Sequence, residues 1–347
     1  MSYGYGREST GYPYSRRRRR RPGCLLVLAR VIVFCVVVGV VGSIAQQWFG
    51  GHTSGGGESS SGLFPGHSDF PDDPGSTDGG GVAGGVREPG VGGSNGREGS
   101  GQQPNAAAAS ALLTKNRFYR VGGLPDTDCR APALTTTATA AQRAYDEHLF
   151  RCLVTAWTGL LRKAGLTTES PRVFVFDSPG TSPCGTFRPR SGRILAFYCP
   201  VGRTLYVDVQ QMARSFPPEH HIAYALVLAH EYGHHLQNVA GILDAEDSVA
   251  YSHPDEELDL SRRTELQASC FAGMFVRSVE TSYPVTGLQR RAFEFYATHA
   301  FGDPQNASAS ERTHGTPQTQ GRWIARGFTD DDTDECDTYV ASAGAVE

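Results

Sequence analysis

Apolar and polar positions divide the chain into three stretches of different pattern. From Leu25 to Ala45 the residues LLVLARVIVFCVVVGVVGSIA are almost all apolar or small, interrupted only by Arg30. As a helix rising about 1.5 Å per residue, they span about 31 Å, the thickness of a bilayer's hydrocarbon core. From residue 46 to 110 that pattern disappears into Gly, Ser, Asp and Pro, as in GSTDGGGVAGGVREPGVGGSNG. Such a stretch has too little apolar surface to offset the entropy of ordering it, and a disordered linker is predicted. Periodicity returns near Ala111. Thr139–Gly165 places Leu149, Leu153, Ala156 and Leu160 on one helical face, with Gly165 as its stop. Arg172–Asp177, Ile194–Cys199 and Thr204–Val209 read as strands, the last two joined through Pro200–Arg203 as a hairpin. Beyond Pro217-Pro218, helices are predicted over 219–243, 255–280 and 288–301, followed by an irregular tail to Cys336. Strands first and helices afterwards indicate an α+β domain.

Charge sharpens this division. Met1–Gly23 carries seven arginines and one glutamate, including the run Arg16–Arg21 directly before the apolar span, while the whole chain has net charge −4. A basic block beside an apolar span keeps its own side cytoplasmic, so residues 1–23 read as a cytoplasmic tail, 24–45 as a transmembrane helix and the rest as extracytoplasmic. Arg30 lies near the basic end, where its side chain can snorkel to the interface. Ser43-Ile44-Ala45 also suits a signal peptidase, and cleavage there would give a secreted protein. The length of the span favours the anchor. With its net positive charge confined to the tail, the chain offers no broad basic surface for nucleic acid.

Cysteine usage agrees with export. Cys24 and Cys35 belong to the apolar span, whereas Cys129, Cys152, Cys184, Cys199, Cys270 and Cys336 all follow the linker. Six cysteines in an exported domain suggest three disulfides, with fifteen connectivities open. Cys184 and Cys199 flank a basic, glycine-bearing loop and are the first choice of pair. By order along the chain, Cys129–Cys152 and Cys270–Cys336 follow. No pair has the CxxC spacing of a cysteine zinc site.

The chemistry centres on His230-Glu231-Tyr232-Gly233-His234, an H-E-x-x-H sequence. Around it Ile222, Leu226, Ala229, Gly233, Leu236, Ala240 and Leu243 form an apolar helical stripe. At about 100° per residue, His230 and His234 lie about 40° apart on the edge of that stripe, where both imidazoles can meet one metal ion. Glu231 projects to the far side of His234, within reach of a water beside the ion. A third ligand is required. In RRTELQASCFAGMFVRSVE, Glu265 shares a stripe with Ala268, Ala272, Phe275 and Val279, and a carboxylate there must be paired or bound to metal. A salt bridge to Arg262 is the competing explanation. Asp255, Glu256, Glu257 and Asp259 read as favourable charges at a helix N-terminus. Tyr232, His235, Tyr251 and His253 have weaker claims, and His235 is expected to be structural or exposed. Thr204–Val209 could pair with an extended substrate, but an ordinary sheet role is the simpler reading. Asn306-Ala307-Ser308 matches a glycosylation pattern and is given no role.

HEYGHHLQNVAGI, ELQASCFAG, THGTPQTQGRWIARGF and CDTY, in this order, resemble the neutral zinc metallopeptidase family, close to the gluzincin type of zinc protease. The resemblance covers roughly 174–339. It implies a zincin-like fold with one Zn2+ per chain on His230, His234 and Glu265, and Glu231 as catalytic base. It also includes the triplet Thr313-His314-Gly315, which makes His314 the candidate oxyanion stabiliser, against a bland role as a loop histidine. One position departs from the family. Where an aspartate usually orients a ligand histidine, four residues after the ligand glutamate, this chain has Ser269, which can accept the hydrogen bond but adds no charge.

The expectation is therefore a membrane-anchored α+β zinc-peptidase domain, residues 111–347, acting on protein or peptide substrates outside the membrane and touching lipid through one helix. The alternative is an inactive anchored module that keeps zinc for binding or stability, with Ser269 as its support. An adaptor working through the Tyr/Arg tail is a third.

Overall fold

In this computed structural model the described residues are 106–190, 195–283, 287–299, 301–303, 307–308 and 310–347. The expected basic tail, the transmembrane helix, most of the linker and Asn306 lie outside them. Among the described residues, no helix is long and apolar enough to cross a membrane.

Folding begins five residues earlier than the pattern suggests. Helix α1 spans Ala106–Thr114, so the linker reading fails over 106–110. The run AAAASALL is strongly helix-forming, and Ala109 and Leu113 are buried. A 3-10 turn (Arg117–Arg120) leads to α2, Thr139–Lys163, whose expected face of Leu149, Leu153, Ala156 and Leu160 is buried. Gly165, with φ +63°, provides the stop.

Five short strands follow: β1 (Arg172–Phe176), β2 (Gly180–Ser182), β3 (Gly185–Phe187), β4 (Ala196–Cys199) and β5 (Thr204–Asp208). One sheet has the order β1-β5-β4, with β1 parallel and β4 antiparallel to β5, so the expected hairpin is present. Because β5 is central, both its edges are already paired and it cannot accept a further strand. β2 and β3 form a separate hairpin.

The remaining chain is helical: α3 (Val209–Ser215), α4 (His221–Val239), α5 (Ile242–Ser252), α6 (Glu257–Val279), α7 (Gly287–His299) and α8 (Pro317–Asp330). Two of these correct the sequence reading. The helix expected over 219–243 ends at Val239, and Gly241, with φ +74°, starts α5 in a new direction. The tail before Cys336 is not wholly irregular, since it contains α8. The result is a helix-rich α+β domain. Its core surrounds α4, where from His221 to Gln237 every residue except His234 is buried.

Three disulfides join Cys129–Cys152, Cys184–Cys199 and Cys270–Cys336, the pairing expected from chain order. The last ties α6 to the segment after α8.

One buried group works against stability. Asp146 on α2 is 0% exposed, and neither carboxylate oxygen has a hydrogen-bond partner among the described residues. Burial, helped by Glu147 and opposed by Arg143, pushes its carboxyl well above the ordinary range. A raised folded-state value favours folding only while the unfolded chain is also protonated. That support is complete below the unfolded pKa of about 3.9 and is lost as pH rises through the folded value. Asp146→Asn, neutral at every pH, is therefore expected to gain about 1–3 kcal/mol near pH 7.5 and little near pH 4. Thermal unfolding of both proteins at the two pH values checks this, and an equal gain at both would contradict it.

Candidate metal centre

The site is built where α4 crosses α6. The crossing is close because Gly233 faces Ala268: a Cβ at 233 would lie 2.8 Å from the Ala268 Cα and 2.9 Å from its carbonyl oxygen. The glycine inside H-E-Y-G-H thus brings the two histidines of α4 against Glu265 of α6.

His230 Nε2 lies 3.1 Å from Glu265 Oε2, and His234 Nε2 lies 3.4 Å from the same oxygen. The two Nε2 atoms are 3.1 Å apart. These three side chains form a group whose ligand atoms lie within 4.8 Å of one another. Arg262 does not compete for Glu265. It is directed instead to Asp259 at 3.6 Å and to the Arg312 carbonyl.

The other nitrogen of each histidine is engaged. His230 Nδ1 is 2.9 Å from Ser269 Oγ, so the hydroxyl occupies the position expected of an orienting aspartate. Ser269 in turn donates to Gln320 Oε1, and Gln320 Nε2 donates to the His314 carbonyl at 2.6 Å. His234 Nδ1 is 2.8 Å from Gln237 Oε1, while Gln237 Nε2 donates to the Thr264 carbonyl at 2.7 Å and to Gln267 Oε1 at 3.1 Å.

Donor chemistry fits zinc. Two imidazole nitrogens and one carboxylate oxygen converge, and with the outer nitrogens held, the inner ones are directed at a shared point. Burial pushes the His230 imidazole down, which keeps it a neutral ligand. Burial opposes the charge of Glu265, but His234 and His314 outweigh it and hold the carboxyl well below its ordinary range. Burial likewise opposes a charge on His234, and Glu265 overcomes it to raise that imidazole. A divalent cation can take the place of the proton that Glu265 draws onto His234.

Glu231 is 1% exposed, and its carboxylate accepts from the Tyr198 backbone N–H of β4. Its Oε1 has no hydrogen-bond partner among the described residues. Burial pushes its carboxyl up to about 8 in the metal-free protein. A carboxylate anchored on one side and unpaired on the other suits proton transfer.

His314 reaches the same place from the loop before α8. Its Nε2 is 3.7 Å from Glu265 Oε2, its Nδ1 is 3.5 Å from Asp303 Oδ1, and its backbone N–H donates to Asp303 Oδ2 at 2.7 Å. Burial opposes a charge on this ring, and Glu265 and Asp303 together raise its pKa.

The weaker candidates separate from the site. His235 is buried, with Nδ1 3.1 Å from the Tyr198 hydroxyl, and burial pushes it down to about 4, as a structural residue. Tyr232 packs on Phe150 and His235. Tyr251 and His253 are exposed. Sequence reading missed Asp303, Gln237, Gln320 and Tyr198. Only Gln237 carried a local signal, since three residues after His234 is one helical turn along the same face.

A family model described as Putative neutral zinc metallopeptidase matches residues 111–339. The chain belongs to this family. It is 31% identical over 198 residues to Uncharacterized protein YpfJ of Escherichia coli (strain K12), covering 54% of this chain and 67% of that one. It is 30% identical over 195 residues to Uncharacterized protein Rv2575 of Mycobacterium tuberculosis (strain ATCC 25618 / H37Rv), covering 50% of this chain and 63% of that protein. The chain therefore spans less than two thirds of its mycobacterial relative. No solved structure matches it.

Proposed function

We propose that this family member is a membrane-anchored zinc metallopeptidase that hydrolyses peptide bonds on the extracytoplasmic side. The observation that carries the chemistry is the convergence of His230 Nε2, His234 Nε2 and Glu265 Oε2, with the open carboxylate oxygen of Glu231 on the neighbouring residue of α4. The anchor rests on the apolar span and arginine block of the sequence, and the three disulfides support export.

His230, His234 and Glu265 would hold the ion. When bound, zinc supplies a Lewis acid that polarises a peptide carbonyl and brings the pKa of water down to about 7. Glu231 accepts a proton from the attacking water at its open oxygen, while the Tyr198 N–H holds the other side of the carboxylate. The same group later returns that proton to the leaving amine. His314 Nε2, on the Glu265 side of the site, donates to the oxygen on which charge develops. Thr313 and Asp303 fix this ring from behind.

The test is bound metal and cleavage of a mixed peptide library by the detergent-solubilised chain with its disulfides intact. About one zinc per chain with cleavage supports the peptidase. Zinc without cleavage supports the binding module, and absence of any bound metal after zinc loading refutes both.

A further inference from the structure

The chain of neutral groups running from His230 has a direction that its chemistry dictates. A backbone carbonyl can only accept, so at the His314 carbonyl the Gln320 side chain must present its NH2. Its oxygen therefore faces Ser269, and the single hydroxyl proton of Ser269 is committed to that oxygen. With its proton spent there, Ser269 Oγ can only accept from the imidazole. His230 must then carry hydrogen on Nδ1, leaving the Nε2 lone pair to accept from the His234 Nε2–H 3.1 Å away. Ser269 and Gln320 are each 1% exposed, so water is a poor competitor for these bonds.

The far end of the chain matters as much. Gln320 terminates on the carbonyl of His314, whose ring reaches the same Glu265 oxygen that faces His230. One amide therefore meets two needs: its oxygen sets the tautomer of a metal-ligand histidine, and its nitrogen holds the backbone of the residue offered as oxyanion donor. The residue belongs to α8, a helix that sequence reading missed.

We propose that Gln320 is a positioning residue, which acts through Ser269 to lock His230 in its Nδ1–H tautomer and separately seats His314. The inference rests on the zinc reading of the site, but its central claim concerns the metal-free protein. A hydroxyl alone does not provide the lock, since an uncommitted serine can donate to Nδ1 as readily as accept from it. The amide turns an ambivalent group into an obligate acceptor and takes over the orienting part of the usual aspartate's task without adding charge.

Three variants separate these functions: Ser269→Ala, Gln320→Leu and Gln320→Glu. Histidine 15N spectra of the zinc-free chain report the His230 tautomer, and competition with a chelator reports zinc affinity. In wild type His230 is expected to show hydrogen on Nδ1. In Ser269→Ala and Gln320→Leu the two tautomers should mix, and zinc affinity should fall about 10–100-fold. Gln320→Glu, as a carboxylate, still accepts from Ser269. It should keep the tautomer and hold affinity within about threefold of wild type, while losing the donor to His314, and with it turnover, as pH rises and the carboxyl ionises. An unchanged tautomer in both Ser269→Ala and Gln320→Leu overturns the proposal. So does a loss of affinity in Gln320→Glu equal to that in Gln320→Leu, which would mark a packing role alone. Failure of wild type to take up zinc would refute the reading of the site, whereas the tautomer comparison would still decide the relay.

Discussion

Glu231→Gln is expected to keep its zinc and lose about 10²–10⁴-fold in peptide cleavage. The amide is nearly isosteric, and the Tyr198 N–H can still donate to its oxygen, so the α4 backbone and both histidines stay in place. What disappears is a group able to accept a proton at the open position. Removing a buried charge beside Glu265 should leave metal content unchanged or slightly altered, and the variant should be no less stable in the metal-free state, where burial already disfavours the Glu231 charge. Metal analysis and initial rates on a peptide cleaved by wild type check both parts. Retained cleavage would remove Glu231 from the chemistry, and loss of zinc together with cleavage would make the result uninformative about a base and reassign the residue to holding the site.

Gly327→Ala should be the most damaging single methyl in the domain. A Cβ at position 327 of α8 would lie 1.9 Å from the Cys270 carbonyl oxygen of α6, and one at Gly273 would lie 2.0 Å from the Ile324 carbonyl oxygen. Both neighbours are helix backbone, so neither can turn aside. The two glycines let α6 and α8 touch, and that contact sets Gln320 against Ser269. Gly327→Ala must push the helices apart, at an expected cost of about 1–3 kcal/mol or roughly 3–10 °C in unfolding temperature. Zinc affinity should fall with it, because the relay to His230 spans the same gap. A variant with unchanged stability and unchanged zinc affinity would show that the contact tolerates separation.

The candidate site was more legible in the sequence than the structure around it. His230 and His234 declared themselves by a four-residue spacing on an apolar stripe, and Glu265 by being a carboxylate among Ala268, Ala272 and Phe275. Each signal is local, confined to one helix. The α8 helix was missed because its buried side is made of Gly321, Gly327, Thr319 and Gln320 as well as Trp323 and Ile324. Glycine on a packing face gives no hydrophobic signal, and two glycines read as helix breakers. The turn at Gly241 was missed for the converse reason, since apolar residues continue across it and conceal the change of direction. Asp303, Gln237 and Gln320 act through partners fixed by tertiary contact, and Asp303 meets His314 across eleven residues of sequence. The strands were found with small errors at their ends, because alternation marks them locally, while the parallel pairing of β1 with β5 was not visible in either segment.

Helix α6 concentrates much of this architecture into nine residues: Glu265, Ser269, the disulfide at Cys270 and the glycine contact at Gly273. None of these restraints other than Glu265 involves the ion. The backbone cage is therefore complete before loading, unlike small zinc domains that fold only around their metal. Chelation should empty the site without melting it: amide hydrogens in the middle turns of α6 should exchange only through global opening in both states, slowly without zinc and more slowly with it. Metal uptake then becomes the capture of an ion by donors already gathered, reversible over repeated cycles, with no refolding step to limit its rate.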